Sequence, residues 1–338
     1  MTGPGHLMAA EVAEIPSVIE RQLRDNLDAY LALGRDWAAA PPSFFATCAR
    51  GTSDQAALFF KYLTEIGTGI PVASIGPSLG SLFDGPLRMP GAALLAISQS
   101  GASPDLVALT RKASAGGARS VALLNTIPSP LSQAADQALP LSAGPEQAVA
   151  ATKSFVASLV AAAAIHAGHA DDALLLDELT SLPERLRAMD QTAQELYPLS
   201  GARRLFCLGR GLGLALAGEA ALKFKETCLL AAEGASTAEF RHGPLALADA
   251  DTAALVFQLD DPTRPGTLAL VTTLRERGTT VVTIGAGGAD IRIPDLHHPA
   301  AQAIAAITAF YQLVGPLSVD LGLDPDTPPH LVKATLTE

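Results

Sequence analysis

Cysteine is scarce in this chain, and basic residues are outnumbered by acidic ones. The three cysteines, Cys48, Cys207 and Cys228, lie far apart with no CxxC pair, so neither a disulfide framework nor a zinc ribbon can be built from them. Such cysteine usage suits a reducing cytoplasm. Against 34 Asp+Glu there are only 23 Lys+Arg, a formal charge of −11. A nucleic-acid binder needs a basic surface to displace counterions, so that class is disfavoured, although a local pocket for a small anion stays compatible. Long apolar runs are also missing. The greasiest stretch, 155–167, is followed by His169, Asp171 and Asp172. It falls short of the roughly 20 residues needed to span a bilayer and reads as a buried helix. Residues 1–7 lack the basic start and apolar run of a signal peptide. The phosphate loop G-x-x-x-x-G-K-[ST] is absent.

What is present is apolar mass: 338 residues, 49% hydrophobic and 17% charged, enough for two domains or one large one. Val12, Ile15, Ile19, Leu23, Leu27 and Leu31 recur at helical steps and predict helix over 8–37, with Pro16 at a first turn or a break. Strands are expected at 44–48, 72–75, 92–97 and 120–124, alternating with helices at 54–66 and 105–115. Short apolar strands alternating with helices specify an α/β fold with a parallel sheet covered on both faces.

The pattern then recurs. Arg50 and Arg210, Ser98 and Gln258, and Val121 and Val281 are each 160 positions apart, every pair at the end of or within a strand. One α/β unit has been duplicated. The expected organisation is an N-terminal helical segment (1–38), a first domain (39–190), a second domain (200–322) and a C-terminal tail (323–338).

The duplication separates function from scaffold. After its third strand the first copy carries Ser98-Gln99-Ser100-Gly101-Ala102-Ser103, while the second carries Gln258-Leu259-Asp260-Asp261-Pro262. Hydroxyls and a glycine between a strand end and a helix start favour an anion, and ligands of open α/β sheets bind at that edge. Two carboxylates repel one, so a single phosphate-type site is expected, in the first copy; the bland alternative is a serine-rich helix cap. Gly209-Arg210-Gly211-Leu212-Gly213 lacks the last glycine of the dinucleotide fingerprint, and a tight turn is the simpler reading. On an expected helix over 218–230, Glu219, Lys223 and Glu226 share one face. An exposed ion-pair ladder is the ordinary explanation, but Leu222, Phe224 and Cys228 suggest a buried helix, where charges need partners or a task. His242 precedes Gly243-Pro244, and a lone histidine is more often structural. Lys333, in a polar tail, reads by composition as a solvated lysine.

A larger set of motifs changes the weighing. Arg50-Gly51-Thr52-Ser53, Ser98-Gln99-Ser100-Gly101-x-Ser103, Gly144-Pro145-Glu146 with Val149-Ala150-Ala151-Thr152-Lys153, Glu219 through Glu226, Glu239-Phe240-Arg241-His242-Gly243-Pro244, and Asp324-Pro325-Asp326 with Lys333 occur in that order. With these blocks the chain resembles the double-SIS (sugar isomerase) family, in particular the isomerase half of glucosamine-6-phosphate synthases and the stand-alone glucosamine-6-phosphate deaminases. The resemblance implies two tandem three-layer SIS domains of flavodoxin or Rossmann type. It implies that Ser98, Gln99, Ser100 and Ser103 hold a sugar phosphate, that Thr52 and Ser53 line the sugar, and that Glu146, Val149 and Lys223 belong to the substrate site. By the same resemblance Glu226 is the base that moves a proton between C1 and C2. His242, from a neighbouring subunit of a homodimer, opens the ring, and Lys333 stands beside the substrate carbonyl. Two positions depart from the family pattern: Ser103 replaces a threonine and keeps the hydroxyl, whereas Ala151 replaces a serine and loses it.

The implied reaction turns glucosamine 6-phosphate into fructose 6-phosphate and ammonia, with no metal or redox cofactor. About 40 residues precede the first sugar-binding unit, and Thr2 rather than cysteine follows Met1. An ammonia-donating glutaminase is therefore not expected, and deamination is favoured over synthesis. A plain phosphosugar isomerase or a fructosamine-6-phosphate deglycase would use the same base. A non-catalytic sugar-phosphate sensor is the remaining class, and the acidic N-terminal stretch offers it no basic recognition helix.

Overall fold

The computed structural model describes residues 3–189 and 193–333. Residues 190–192 of the expected domain boundary and 334–338 of the expected tail lie outside the described residues. In chain order the helices are α1 (His6–Ala13), α2 (Ile15–Ala39), α3 (Thr52–Thr68), α4 (Ser78–Ser81), α5 (Pro104–Ala115), α6 (Pro130–Ala134), α7 (Lys153–Ala170), α8 (Ala173–Arg187), α9 (Leu212–Cys228), α10 (Arg264–Glu276) and α11 (Pro299–Asp320). The strands are β1 (Phe45–Cys48), β2 (Val72–Ser74), β3 (Ala93–Ser98), β4 (Arg119–Leu124), β5 (Gln137–Pro140), β6 (Arg204–Gly209), β7 (Ala232–Ser236), β8 (Thr252–Gln258), β9 (Thr280–Gly285) and β10 (Ile291–Arg292).

They form two five-stranded sheets, β2-β1-β3-β4-β5 and β7-β6-β8-β9-β10. Every adjacent pair is parallel. Both orders are the doubly wound 2-1-3-4-5, so the duplication inferred at 160-residue spacing is a duplication of topology. It extends to single torsions. Gly51 and Gly211, the corners before α3 and α9, have φ 53°, ψ −128° and φ 57°, ψ −128°, and each is followed by a helix of 17 residues. Side-chain-bearing residues avoid that region, which accounts for glycine at both places. A further shared device closes each sheet. Asp136, just before β5, accepts from the Ser120 backbone N–H at 2.7 Å and its hydroxyl at 2.9 Å. Asp290, just before β10, accepts from the Thr283 backbone N–H at 2.9 Å and its hydroxyl at 2.8 Å.

The chain divides into two compact units along lines that the linear reading did not draw. The first contains residues 17–146 and 153–180; the second contains, of the described residues, 3–16, 147–152 and 181–333. The expected N-terminal segment is thus split at Pro16, and the short loop 147–152 belongs with the second sheet. Within the first unit the core gathers on β1, β3 and β4 with α5, for example Ala46, Leu94, Ala122 and Leu109. Helix α7, expected at 155–167, is buried along nearly all of its length. It crosses α2 backbone to backbone: a Cβ on Gly34 would stand 2.1 Å from the Ile165 carbonyl oxygen, and one on Gly168 2.5 Å from that of Leu31. Within the second unit Phe206, Phe240, Val256 and Leu270 form a separate core. Among the described residues one helix, α11, is long and apolar enough to cross a membrane, and 89% of its apolar window is buried within the protein.

Candidate functional site

In the first unit the loop after β3 is organised around its own hydroxyls. The Gly101 N–H donates to Ser98 Oγ at 3.0 Å, and the Ala102 N–H to Ser100 Oγ at 3.3 Å. Gly101 has φ 62°, and a Cβ there would collide with Ser129 Oγ at 2.3 Å, so only glycine closes this turn. Ser103 is the N-cap of α5 but makes no side-chain capping bond, which leaves its hydroxyl pointing at no backbone amide of the helix. Ser98 is buried, while Gln99, Ser100 and Ser103 are half-buried. Thr52 and Ser53 open α3, half-buried, at the same carboxyl edge of the sheet. Arg50, the residue before the Gly51 corner, reaches α5: its Nε donates to Asp105 Oδ2 at 2.9 Å, and Nη2 donates to the same oxygen. Asp105 is fully buried in the first turn of α5 and also accepts from the Leu106 N–H at 2.8 Å.

The corresponding loop of the second unit is filled by its own charges. Asp260 pairs with Arg264 at 3.0 Å, Asp261 accepts from the Thr263 N–H at 2.7 Å, and Arg264 donates to the Gly287 carbonyl at 2.7 Å. Helix α9 starts at Leu212, earlier than the expected 218, because Gly209 and Gly213 allow a tight corner. A Cβ on Gly209 would lie 2.0 Å from the Gly213 carbonyl oxygen, so these glycines serve the turn.

Helix α9 is the chemical centre of the second unit. Glu219 and Lys223 are both 0% exposed, whereas the Glu226 side chain is 20% exposed. Lys223 Nζ lies 3.4 Å from Glu219 Oε1 and hydrogen-bonds directly to Glu226 Oε2. The Tyr311 hydroxyl, on α11, donates to Glu219 Oε1 at 2.7 Å. Burial pulls the Lys223 ammonium down, but the two flanking carboxylates outweigh it and its pKa is raised above the ordinary lysine value. The ladder is therefore a buried cation held between two anions, with one carboxylate reaching solvent.

Also in the second unit, the two ends of the chain meet the loop 147–152. Asp326 takes the Leu7 and Met8 N–H groups at 2.9 and 2.8 Å, capping α1, and Asp324 takes the Gly5 N–H at 3.0 Å. From α1, Glu11 Oε1 accepts from the Gln147 N–H and, at 3.3 Å, from the Ala148 N–H. The Val149 N–H donates to the Asp326 carbonyl at 3.1 Å, and Lys333 Nζ donates to the Ala148 carbonyl at 2.7 Å. These bonds set Lys333 against the segment that carries Val149.

The remaining expected residues are placed as follows. Glu146 is buried, and its carboxylate is engaged by Ser154: Oε1 accepts from the N–H at 3.1 Å and Oε2 from the hydroxyl at 2.7 Å. It fixes the start of α7. His242 is exposed at the end of a short 3-10 turn, anchored by Phe240, whose ring meets Phe206 edge-on at 4.9 Å. In the first unit the structure gathers Thr52, Ser53 and the Ser98–Ser103 loop at one sheet edge. In the second it joins Lys223 to Glu226 and Lys333 to the Val149 segment. Sequence reasoning missed Tyr311 and Glu11; neither lies in a motif, and only the buried Glu219 signalled that a partner was needed. Among the described residues no group of three His, Cys, Asp or Glu side chains could hold a metal ion.

Comparison with known proteins gives a consistent picture. The SIS domain model matches residues 46–167 and 198–292. The glutamine–fructose-6-phosphate aminotransferase (isomerizing) of Thermus thermophilus is 32% identical over 98% of this chain and 59% of its own length. The chain thus spans little more than half the length of that relative. A crystal structure assigned as a phosphosugar isomerase, from Silicibacter pomeroyi, superposes with TM-score 0.87 at 38% identity, covering 95% of this chain and 99% of that one. A glucosamine-6-phosphate deaminase from Thermotoga maritima superposes with TM-score 0.81 at 20% identity, covering 98% and 100%, a likeness of fold alone.

Proposed function

Since the chain belongs to the SIS domain family of phosphosugar isomerases, we propose that it isomerises an amino-sugar phosphate, converting glucosamine 6-phosphate and water to fructose 6-phosphate and ammonia. The observation that carries this reading is the α9 ladder, in which a carboxylate open to solvent, Glu226, is steadied by a fully buried lysine and a second carboxylate. A base that shuttles one proton between adjacent carbons has to be held still and remain reachable, and this arrangement supplies both.

In this reading the Ser98–Ser103 loop, with Gln99, grips the phosphate through hydroxyls and backbone N–H groups. Thr52, Ser53 and Val149 line the sugar. His242 moves protons at the ring oxygen and the anomeric hydroxyl, a task suited to an imidazole near neutral pH. Glu226 takes the C2 proton and returns it to C1. The ammonium of Lys333 stabilises the charge that develops on oxygen in the enediol-type intermediate. The resulting 2-imino ketose adds water and loses ammonia. The exposure of His242 on its own chain supports its delivery to a neighbouring subunit of a homodimer. Three free, buried cysteines support a reducing cytoplasm as the setting.

A second reading, a phosphosugar aldose–ketose isomerase without deamination, is favoured by the 38% identity to the Silicibacter pomeroyi protein. It uses the same base. An assay of ammonia release from glucosamine 6-phosphate, coupled to detection of fructose 6-phosphate, separates the two. Ammonia from wild type and none from Glu226→Gln is the expected result. Interconversion of other phosphosugars without ammonia would replace the first reading by the second.

A further inference from the structure

Asp105 is out of place at an anion site. It is fully buried in the first turn of α5, the helix that follows the serine loop, where a carboxylate competes with phosphate for the same backbone dipole. The cation that answers it comes from a different loop: Arg50 lies two residues beyond β1, just before the Gly51 corner that leads into Thr52 and Ser53. The Arg50 side chain is 45% exposed while Asp105 is 0% exposed, so the pair has a buried negative end and a solvent-facing positive end. The second unit offers a contrast. Its arginine at the same place in the repeat, Arg210, lies near Gly266 on α10, and the carboxylates there sit in the loop itself.

We propose that Arg50 and Asp105 form a charge-compensating pair that sets how strongly the Ser98–Ser103 loop binds a phosphate group. The inference rests on the reading of that loop as the phosphate site. Arg50 is a positioning residue. It cancels the field that buried Asp105 would project onto an incoming dianion, and it ties the loop after β1 to the start of α5, so that Thr52, Ser53 and the serine hydroxyls keep one relative geometry. Asp105 in turn restrains the guanidinium and tempers the site. A non-reacting phosphate held too tightly stabilises substrate and transition state alike and contributes nothing to kcat.

The test is calorimetric titration of the full chain with inorganic phosphate and, separately, with fructose 6-phosphate. Asp105→Asn keeps a carbonyl oxygen for Arg50 and removes only the charge, so it binds phosphate several-fold tighter than wild type. Arg50→Gln takes the guanidinium charge away from the buried carboxylate and binds roughly tenfold to a hundredfold more weakly. In the double variant both charges are gone and affinity returns to within about threefold of wild type. With glucosamine 6-phosphate as substrate, Arg50→Gln raises KM by a larger factor than it lowers kcat. An Asp105→Asn protein that binds phosphate no tighter than wild type overturns the proposal, even if Arg50→Gln fails to fold. So does a folded double variant as weak as Arg50→Gln. Wild type that binds neither probe overturns the phosphate reading of the loop as well, which distinguishes the two failures.

Discussion

The side-chain ammonium of Lys333 donates to the carbonyl oxygen of Ala148 at 2.7 Å, joining residues 185 positions apart in sequence. The bond is the last link of a series that runs from Asp326 through the capped start of α1 to Glu11 and the Gln147 and Ala148 amides. A lysine in a polar tail gains a fixed address because three remote segments are fastened to one another. The location of Lys333 is thus a property of α1 as much as of the tail.

Cutting this clasp should therefore reduce activity without touching any group proposed to meet the substrate. Glu11→Ala removes the acceptor for the Gln147 and Ala148 amides, and Asp326→Ala uncaps α1. Loss of a cap costs about 1–2 kcal/mol, which a shift in the urea midpoint will register. If Lys333 acts as proposed, steady-state kinetics should show kcat/KM lower by about tenfold or more, since small misplacements of a group that meets the reacting atoms are costly. Combining either change with Lys333→Ala should add little further loss, because both act through the same amine. Fully additive losses would show that the clasp serves only stability.

Lys223 is expected to be the most sensitive position on α9. Lys223→Met keeps the approximate volume and leaves Glu219 buried beside a thioether. Breaking a buried ion pair from one side costs about 3–5 kcal/mol. Denaturant unfolding of this variant should show that loss, and the double change Lys223→Met with Glu219→Gln should recover much of it. The sign of the pH dependence follows from the raised lysine pKa. Stability from the charged Lys223 is fully present below its unfolded value near 10.5 and is lost as pH rises through the higher folded value.

The local features of the fold were legible because they depend on local pattern. Apolar strands β3 and β8, the Gly51 and Gly211 corners and the 160-residue repeat all leave periodic or positional traces. The serine loop and the Glu219–Lys223–Glu226 face could be read for the same reason. The contacts that arrange the site could not. Tyr311 meets Glu219 across 92 positions, and Glu11 meets Gln147 across 136, and a single carboxylate or hydroxyl carries no mark of a distant partner. The sorting of 3–16 and 147–152 into the second unit was hidden for the same reason. Glu146, which the resemblance groups with the substrate site, also accepts from the Ser154 hydroxyl eight residues on, a bond that the spacing alone does not disclose.

The cysteines should be inert in the folded protein. All three are buried, and burial pushes Cys48 up to about 12 and Cys228 up to about 11, with Cys207 also raised. A thiol kept neutral in the fold but free to ionise in the unfolded chain near 9 makes stability fall as pH rises from about 9 towards 12. Ellman's reagent at pH 8 should label almost nothing in native protein and all three thiols in guanidinium. Cys48→Ala should flatten part of the alkaline decline in melting temperature. Rapid labelling of a native thiol would contradict the burial.

The paired carboxylates that close the sheets offer a test of the duplication as an energetic fact. Asp136 and Asp290 each accept both the backbone N–H and the hydroxyl of one strand residue, and each returns its own N–H to that hydroxyl at 3.0 and 2.9 Å. Replacing either by alanine leaves a strand N–H without its acceptor, at a cost of roughly 1–3 kcal/mol. Asp290 also meets the exposed Arg275 at 2.9 Å, a surface pair that adds at most about 1 kcal/mol. Asp136→Ala and Asp290→Ala should therefore lower the urea midpoint by similar amounts, and Arg275→Ala alone should barely move it. Neither carboxylate touches the serine loop, α9 or the Lys333 clasp in the described hydrogen bonds, so kcat and KM should stay near wild type while the fold weakens. A large difference between the two aspartates, with Arg275→Ala silent, would mean that matching geometry in the two copies does not carry matching energy.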